Sequence, residues 1–310
     1  MTTLHVARTQ PSVPALDPLF LNVVFGIDFG SASLAAARWA TANVARRAHA
    51  ILSHVVPPEH DGDASPGTTF GELRPALLGG LSGFARTLNF ATVRSVLRMG
   101  RPSRCLSAIA ARTEASLVVL GRRGDANRTR VGEPNVIERL ARRSSASVLV
   151  VPEGVSEPPR HVIAAVDQSP FAASVLRVAR GVARLHECPL TVLHVLAPNA
   201  GAYDRLLRRG RPARSGERAA KAMGANSAPA PRALPRWFIE LTRDEEALDG
   251  ERIEVVAGDS AREIVGAAAH TRDALVVVGQ RGADGAPVGS LGSVTRELLT
   301  RGPMAVMAVA

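Results

Sequence analysis

The sequence predicts an α/β protein made of two tandem, doubly wound parallel sheets with helices on both faces. Short apolar runs rich in β-branched residues alternate with segments of helical periodicity, which is typical of parallel sheets. The order of these segments repeats within the 310 residues. An aspartate after the first strand and a glycine-rich loop after the fourth lie where such sheets bind ligands, at carboxyl ends of strands.

The first half contains five predicted strands and four predicted helices. Residues 1–20 carry three prolines without periodicity, and we predict a flexible arm there. The strands are predicted over 22–28, 50–56, 93–97, 116–120 and 147–151. The helices are predicted over 31–48, 72–90, 103–113 and 134–143, with Ser31 or Ser33 as candidate N-caps of the first.

The second half repeats this order after a linker at 153–160. Its first strand again ends in an aspartate, Asp167, as the first half's ends in Asp28. The separation of Gly100 and Gly121 is 21 positions, and so is that of Gly258 and Gly279. We therefore predict one domain over 21–152 and a second over 161–310.

An insertion distinguishes the second copy from the first. His194 and Gly258 are 64 positions apart, whereas His54 and Gly100 are 46 apart, so the second copy is longer here by 18 residues. The extra residues fall within about 199–235, which is rich in Ala, Pro, Gly and Arg and predicts a mobile, positively charged loop. An insertion without function is the alternative interpretation.

The charge and composition narrow the function classes. A formal charge of +10 and a pI near 11.2 are typical of nucleic-acid binding. However, the basic residues are scattered along the chain and aromatic residues are only 4%, so nucleic-acid binding is not predicted. No apolar run reaches the roughly 18 residues of a membrane span. The N-terminus lacks a secretory pattern and there are only two cysteines, which together predict a cytoplasmic protein.

The glycine-rich loop of the second half is the strongest functional signal. An apolar strand at 274–278 leads into Gly279-Gln280-Arg281-Gly282, and nine residues separate Gly282 from Gly292-Ser293. Glycines let a backbone approach a ligand, and the first amides of a helix attract anions. Ser293 can cap the following helix and offer its hydroxyl to a phosphate. The loop has neither the lysine of a P-loop nor a dinucleotide fingerprint, yet it predicts a phosphate cradle.

This G-x2-G-x9-G-S spacing after a buried strand resembles the ATP-binding motif of the universal stress protein family. The resemblance covers nearly all of residues 22–310 as two tandem copies. It implies a Rossmann-like fold, similar to adenine nucleotide alpha hydrolases, with five parallel strands per domain in the order 3-2-1-4-5. In that order the strands that lead to Asp167 and Gly279 are neighbours, so the two parts of the site meet.

The resemblance also implies the ligand contacts. Asp167 would hold the adenosine part of ATP, and the glycines and the helix start would hold the ribose and the phosphates. The matching residues of the second half are Asp167, Val195, Gly279, Gly282, Gly292, Ser293, Val294 and Thr295. The alternatives are a helix-capping role for Asp167 and a plain strand role for Val195. His194 is expected to be a strand residue that points away from the ligand rather than a catalytic base.

The first half departs from the motif. It retains the matching residues Asp28, Val55, Gly121 and Gly124. Pro134-Asn135 replaces Gly-Ser, and each donor lost in this way costs about 1–3 kcal/mol of binding. Glu133 adds negative charge, which the arginines at 122, 123, 128 and 130 offset in part. We therefore expect weak or no ATP binding in the first half.

The resemblance implies an ATP-binding regulator of a stress response that acts on an unidentified protein partner. A divalent cation, Mg²⁺ or Mn²⁺, would be held mainly by the phosphates and water. One alternative is an ATP-hydrolysing or adenylating enzyme on the same fold, and another is a dimerisation scaffold that binds no nucleotide. No Ser-His-Asp set, paired carboxylates or metal triad accompanies the loop, so at most slow ATP hydrolysis is expected.

The final strand of each half, 147–151 and 304–309, would be an apolar sheet edge in the implied order. Such edges favour pairing. We predict that the two strands pair antiparallel within one chain as an intramolecular pseudo-dimer, with helix surfaces left for a homodimer. Two independent domains on a flexible linker are the alternative.

Overall fold

A computed structural model describes residues 19–57, 70–123, 135–196, 235–243, 247–282 and 290–310. The predicted insertion, except Pro235, and most of the predicted arm lie outside these ranges. The described strands are β1 (Asn22–Gly26), β2 (His49–Val56), β3 (Thr92–Met99), β4 (Leu117–Arg122), β5 (Ser147–Pro152), β6 (His161–Ala165), β7 (Leu190–Leu196), β8 (Arg252–Ala257), β9 (Ala274–Gly279) and β10 (Ala305–Val309). The described helices are α1 (Ser31–Asn43), α2 (Phe70–Ala85), α3 (Pro102–Arg112), α4 (Val136–Ala141), α5 (Ala172–His186), α6 (Arg236–Thr242), α7 (Ser260–Ala269) and α8 (Ser293–Arg301).

The order of strands and helices is the predicted one, but several ends differ. β1 and β6 stop before Asp28 and Asp167, so each aspartate lies in the turn after its strand. α1 ends at Asn43 rather than 48, and its N-cap is Gly30 rather than a serine. The Ser33 hydroxyl instead accepts a hydrogen bond from the Asp28 amide.

The ten strands form one continuous sheet in the order β3-β2-β1-β4-β5-β10-β9-β6-β7-β8. Within each half the order is 3-2-1-4-5 and all neighbouring strands are parallel, as predicted. The two five-stranded sheets are joined edge to edge through their final strands.

The joint is the antiparallel pair of β5 and β10. Val306 lies opposite Val150, Met307 opposite Leu149, and Ala308 opposite Val148. All residues of both strands are buried. The predicted antiparallel pairing of the two final strands is therefore present, and it removes two apolar edges from solvent.

Helices cover both faces of the sheet. α1, α2, α5 and α6 pack on one face through residues such as Trp39, Leu176 and Phe238. α3, α4, α7 and α8 pack on the other through residues such as Leu106 and Leu298. None of the described helices is long and apolar enough to cross a membrane.

The chain joins the packed core earlier than the predicted arm allowed. Phe20 is buried in the core beside α1 and α5, and Leu19 packs against the same cluster. A Cβ added at Gly181 of α5 would lie 2.5 Å from Cδ1 of Leu19, so the two segments are in close contact. Residues 19 and 20 therefore belong to the folded body.

Candidate functional site

A crevice lies at the carboxyl ends of β6 and β9, which are adjacent parallel strands. After β6 the chain turns to α5 on one face, and after β9 it turns to α8 on the other. The two connections therefore diverge and leave a gap between them, as expected at the switch point of a doubly wound sheet. A Cβ added at Gly282 would lie 3.2 Å from Oδ2 of Asp167, so the structure brings the two predicted parts of the site together.

Asp167 fixes the turn that follows β6, and the alternative that it caps α5 is wrong, because the N-cap of that helix is Phe171 without a side-chain hydrogen bond. Its Oδ1 accepts a hydrogen bond from the Ser169 amide at 3.2 Å, which fixes the turn before α5. Its Oδ2 lies beside Gly282 of the glycine-rich loop. The carboxylate is half-buried. The turn thus holds Asp167 at the wall of the crevice.

The glycine-rich loop closes onto the start of α8. The Gly292 amide donates to the Gln280 carbonyl at 3.0 Å, and the Thr295 hydroxyl donates to the Gly279 carbonyl at 2.6 Å. A Cβ at Gly279 would lie 3.0 Å from Cβ of Phe171, the N-cap of α5, so the close approach of β9 to this turn favours glycine there. Thr295 therefore shapes the loop through its side chain.

No side chain among the described residues caps the N-terminus of α8. Its N-cap is Gly292, and the predicted capping by Ser293 is wrong, since Ser293 is the first helical residue and is exposed. No acidic side chain lies in the first turn. The amides of Ser293, Val294 and Thr295 lie in the turn whose N–H groups lack intrahelical acceptors, and the helix dipole adds to their attraction for an anion.

Ser169 is a site residue that our sequence reasoning missed. It is 9% exposed, and its hydroxyl oxygen is buried without a hydrogen-bond partner among the described residues. Buried hydroxyls are rarely left unsatisfied, so this group is a candidate for a ligand contact. The Asp-x-Ser spacing was the available signal, and we interpreted it only as a helix cap.

Val195 and His194 occupy opposite faces of β7. Val195 packs against the layer that contains α7 and α8. The His194 ring lies 4.9 Å from Trp237 and 5.6 Å from Phe238, and its Nδ1 is 2.9 Å from the Val166 carbonyl. A carbonyl only accepts, so Nδ1 carries the proton. Burial lowers the pKa of His194, against the opposing effects of this hydrogen bond and of Asp167, and the ring is a neutral structural group.

The first half arranges the equivalent residues differently. The carboxylate of Asp28 lies 3.6 Å from the Arg123 guanidinium, and both are exposed. Arg281, at the matching position of the second half, lies over the Phe171 ring at 5.8 Å instead. Val55 and Gly121 occupy the predicted positions, and a Cβ at Gly121 would lie 2.2 Å from the Ala32 carbonyl oxygen. Gly124 lies outside the described residues.

The helix start of the first half is occupied by its own cap. Oδ1 of Asn135 accepts a hydrogen bond from the Glu138 amide at 2.8 Å. Glu138 also places a carboxylate in the first turn of α4, which has only six residues. One amide is therefore used and an acidic group is added, and both effects disfavour a phosphate. Glu133 and Pro134 lie outside the described residues.

Each glycine-rich loop also contacts the opposite half. The Gln280 side chain donates from Nε2 to the Ala146 carbonyl at 2.9 Å. At the matching position Arg122 donates from Nη1 to the Thr300 carbonyl at 3.2 Å and from Nη2 to the Gly302 carbonyl. Burial lowers the pKa of Arg122. The sequence placed Arg122 near a ligand, but it lies in the joint between the halves.

No group of three or more His, Cys, Asp or Glu side chains suitable for a metal occurs in the part of the chain that the structure describes. The glycine-rich loops and the helix starts supply backbone donors rather than metal ligands. In the described part of the second-half crevice, a helix start that can attract an anion lies near a carboxylate.

Comparisons with known proteins agree with this architecture. A family model described as the universal stress protein family matches residues 20–152 and again 159–310. Among solved structures, a universal stress protein from Archaeoglobus fulgidus DSM 4304 is similar at 14% identity, with 93% of this chain and 97% of that chain covered and a TM-score of 0.56. A functionally unknown protein from Pseudomonas aeruginosa PAO1 is similar at 12% identity, 94% and 92% coverage and a TM-score of 0.59.

These structural likenesses show the fold. A search of curated proteins gives no match. The family match spans most of the chain in two consecutive copies, and each copy coincides with one half of the ten-stranded sheet. The chain therefore belongs to the universal stress protein family, as a tandem of two such domains.

Proposed function

We propose that the second half binds ATP in the crevice between β6 and β9, and that bound ATP regulates the interaction of this chain with a protein partner in a cytoplasmic stress response. The observation that carries the proposal is the juxtaposition of the uncapped α8 start with a glycine turn beside Asp167. An anion and a polyhydroxylated nucleoside need these two kinds of group next to each other.

The described residues fit a nucleoside triphosphate. Asp167 and the unpartnered Ser169 hydroxyl would bind the adenosine part, and the Val195 backbone would meet the base. Gly279 and Gly282 allow the ribose and phosphates to approach the backbone. The amides of Ser293, Val294 and Thr295 would bind the phosphates. The α8 start offers them no competing carboxylate in its first turn.

Charge neutralisation would come partly from a divalent cation. A triphosphate carries more negative charge than a helix start offsets. In the described residues no protein cluster would hold Mg²⁺ or Mn²⁺ by itself, so the cation would bind through phosphate oxygens and water. Such a cation supplies charge compensation to bound ATP.

The regulatory part of the proposal rests on Gln280. This residue lies between the two glycines, and its side chain binds the Ala146 carbonyl in the first half. A change in the loop on ATP binding would therefore alter a contact at the joint between the halves. An effect on partner binding needs such differential contacts between the two states.

The experiment is calorimetry of the full chain with ATP, together with mass spectrometry of nucleotide released on denaturation. We expect one ATP per chain and retention of adenine nucleotide during purification. Gly282→Glu should abolish both, because its side chain would enter the space beside Asp167 with a second negative charge.

The matched control is Gly266→Glu in α7, where a Cβ meets nothing within 4 Å. It makes the same chemical change in the same half and should leave ATP binding intact. An empty wild-type chain with no heat of ATP binding would support the scaffold alternative instead. Release of ADP from added ATP at an appreciable rate would support the enzyme alternative.

A further inference from the structure

A groove of about 800 Å³ lies in the first half, at the amino ends of the strands and thus opposite to the glycine-rich loops. It lies between the C-terminal end of α1 and the turn that joins α2 to β3. Leu88 and Phe90 contribute apolar surface, and Thr41 lies on the α1 side. Because the amino ends of the strands are here, the groove is separate from both glycine-rich loops.

The second half fills the corresponding place with an ion pair. Thr41 is 13 positions after Asp28, and Arg180 is 13 positions after Asp167. Val93 is seven positions before Gly100, and Glu251 is seven before Gly258. Arg180 and Glu251 pair at 2.9 Å with side chains 1% and 5% exposed.

Among the described residues of the first half, no such pair closes the groove. Thr41 and Val93 are both shorter than the residues they match, and Val93 is 45% exposed. The Thr41 hydroxyl donates to the Ala37 carbonyl within α1 and so turns back onto its own helix. The space that Arg180 and Glu251 occupy in the second half is therefore accessible in the first.

The groove carries positive charge without a matching negative charge. Arg38, Arg46 and Arg47 line it, and no lining residue is acidic. Across the described ranges, no carboxylate lies within 4.0 Å of any of these three guanidinium groups. Burial lowers the pKa of neighbouring His186, against the effect of its hydrogen bond with the Asn43 carbonyl, and the nearby Arg46 lowers it further. Arg38 is positioned over the Phe84 ring at 5.1 Å.

We propose that this groove binds a small organic anion with two or more negative groups and an apolar portion. The arginines would hold the anionic groups by charge-assisted hydrogen bonds, which are the strong ones in proteins. Phe90 and Leu88 would contact the apolar portion. The volume is in the range of small-molecule sites.

The test uses benzene-1,3,5-tricarboxylate as the probe and calorimetry of the full chain. We expect saturable binding of this trianion and none of its neutral analogue, benzene-1,3,5-trimethanol. Arg46→Ala/Arg47→Ala should weaken binding by about 10-fold or more. Arg104→Ala/Arg112→Ala is the matched control, since it removes the same charge from exposed positions of α3.

Equal weakening by the two double variants would overturn the proposal, because it would indicate a general effect of surface charge. Absence of trianion binding to the wild-type chain would also overturn it. Thr41→Arg/Val93→Glu rebuilds the ion pair of the second half and should block the groove, with circular dichroism to check folding. ATP binding to wild type should be unchanged by saturating trianion, which separates this site from the ATP site.

Discussion

The two halves of the molecule have open surfaces at opposite ends of their strands. In the second half, the Arg180–Glu251 pair fills the space at the amino ends of the strands. At the carboxyl ends, the start of α8 has no side-chain cap from its own N-cap residue. In the first half, an open basic groove lies at the amino ends of the strands. At the carboxyl ends, Asn135 caps the start of α4. The strands were duplicated, but the potential binding sites were not.

The difference shows how few residues separate an open site from a closed one on this fold. The strand order and pairing are the same in both halves, because they depend on buried apolar strands. The ends of the strands are opened or closed by single polar side chains such as Asn135 and Glu251, which lie outside the strands themselves. Function on such a fold is therefore determined locally.

The largest effect should come from breaking the buried pair. Glu251→Gln removes the carboxylate that pairs with the buried Arg180 guanidinium at 2.9 Å, so we expect a loss of about 3–5 kcal/mol in the free energy of unfolding. Urea denaturation followed by circular dichroism measures it. Arg180→Met/Glu251→Leu removes both charges and should recover most of that loss.

Asp28→Asn is the control in the first half. It breaks the ion pair between Asp28 and Arg123, whose side chains are 64% and 61% exposed, respectively. Exposed ion pairs contribute at most about 1 kcal/mol to the free energy of unfolding. If Glu251→Gln and Asp28→Asn had the same cost, the contrast between the closed and the open half would lose its energetic basis.

The next largest effect should be on ATP affinity at the start of α8. Gly292→Pro/Ser293→Asn gives the second half the helix start of the first. It removes the hydrogen bond from the Gly292 amide to the Gln280 carbonyl, which holds the loop against α8, and it supplies a side-chain acceptor for the first-turn amides. We expect ATP to bind about 10- to 100-fold more weakly, as measured by calorimetry.

Gly292→Ala is the matched control for this exchange. It retains the amide, and a Cβ there meets its nearest atoms at 3.4–3.6 Å, which is ordinary contact. The φ of −55° suits alanine and proline equally. Normal affinity in the exchanged variant would show that the amides of α8 do not bind the phosphates.

Most of the fold could be predicted from the sequence because its signals are local or repeated. The apolar runs at 147–151 and 274–278 and the equal glycine spacings define strands and register without tertiary information. The antiparallel joint of β5 and β10 followed from the apolar character of two edge strands. Element ends were less certain, as at Asn43, because capping depends on the exact turn geometry.

The details of the site could be predicted only in part. Asp167 and the glycines were identified because their spacing is visible in the chain. One partner of Arg122 is 178 positions away at Thr300, and one partner of Arg180 is 71 positions away at Glu251, so no sequence window contains either contact. Burial of Ser169 without a partner is likewise a property of the folded turn.

The smallest effect should come from the joint between the halves, where Gln280 and Arg122 have matching positions but unequal contacts. Gln280→Ala removes one neutral hydrogen bond to the Ala146 carbonyl, so we expect a loss of about 1 kcal/mol in stability. Gln280→Glu should cost more, since it places a carboxylate oxygen opposite that carbonyl and adds an unpaired buried charge.

The proposed coupling between bound ATP and the joint allows a second measurement on Gln280→Ala. In the wild-type chain, bound ATP should increase the hydrogen-exchange protection of the β5 amides next to Ala146, because the loop that holds Gln280 becomes ordered around the ligand. In Gln280→Ala, ATP should still bind while the protection of β5 stays at its nucleotide-free level. An unchanged increase in protection would show that the halves communicate through the paired strands alone, and Gln280 would then be a local structural contact.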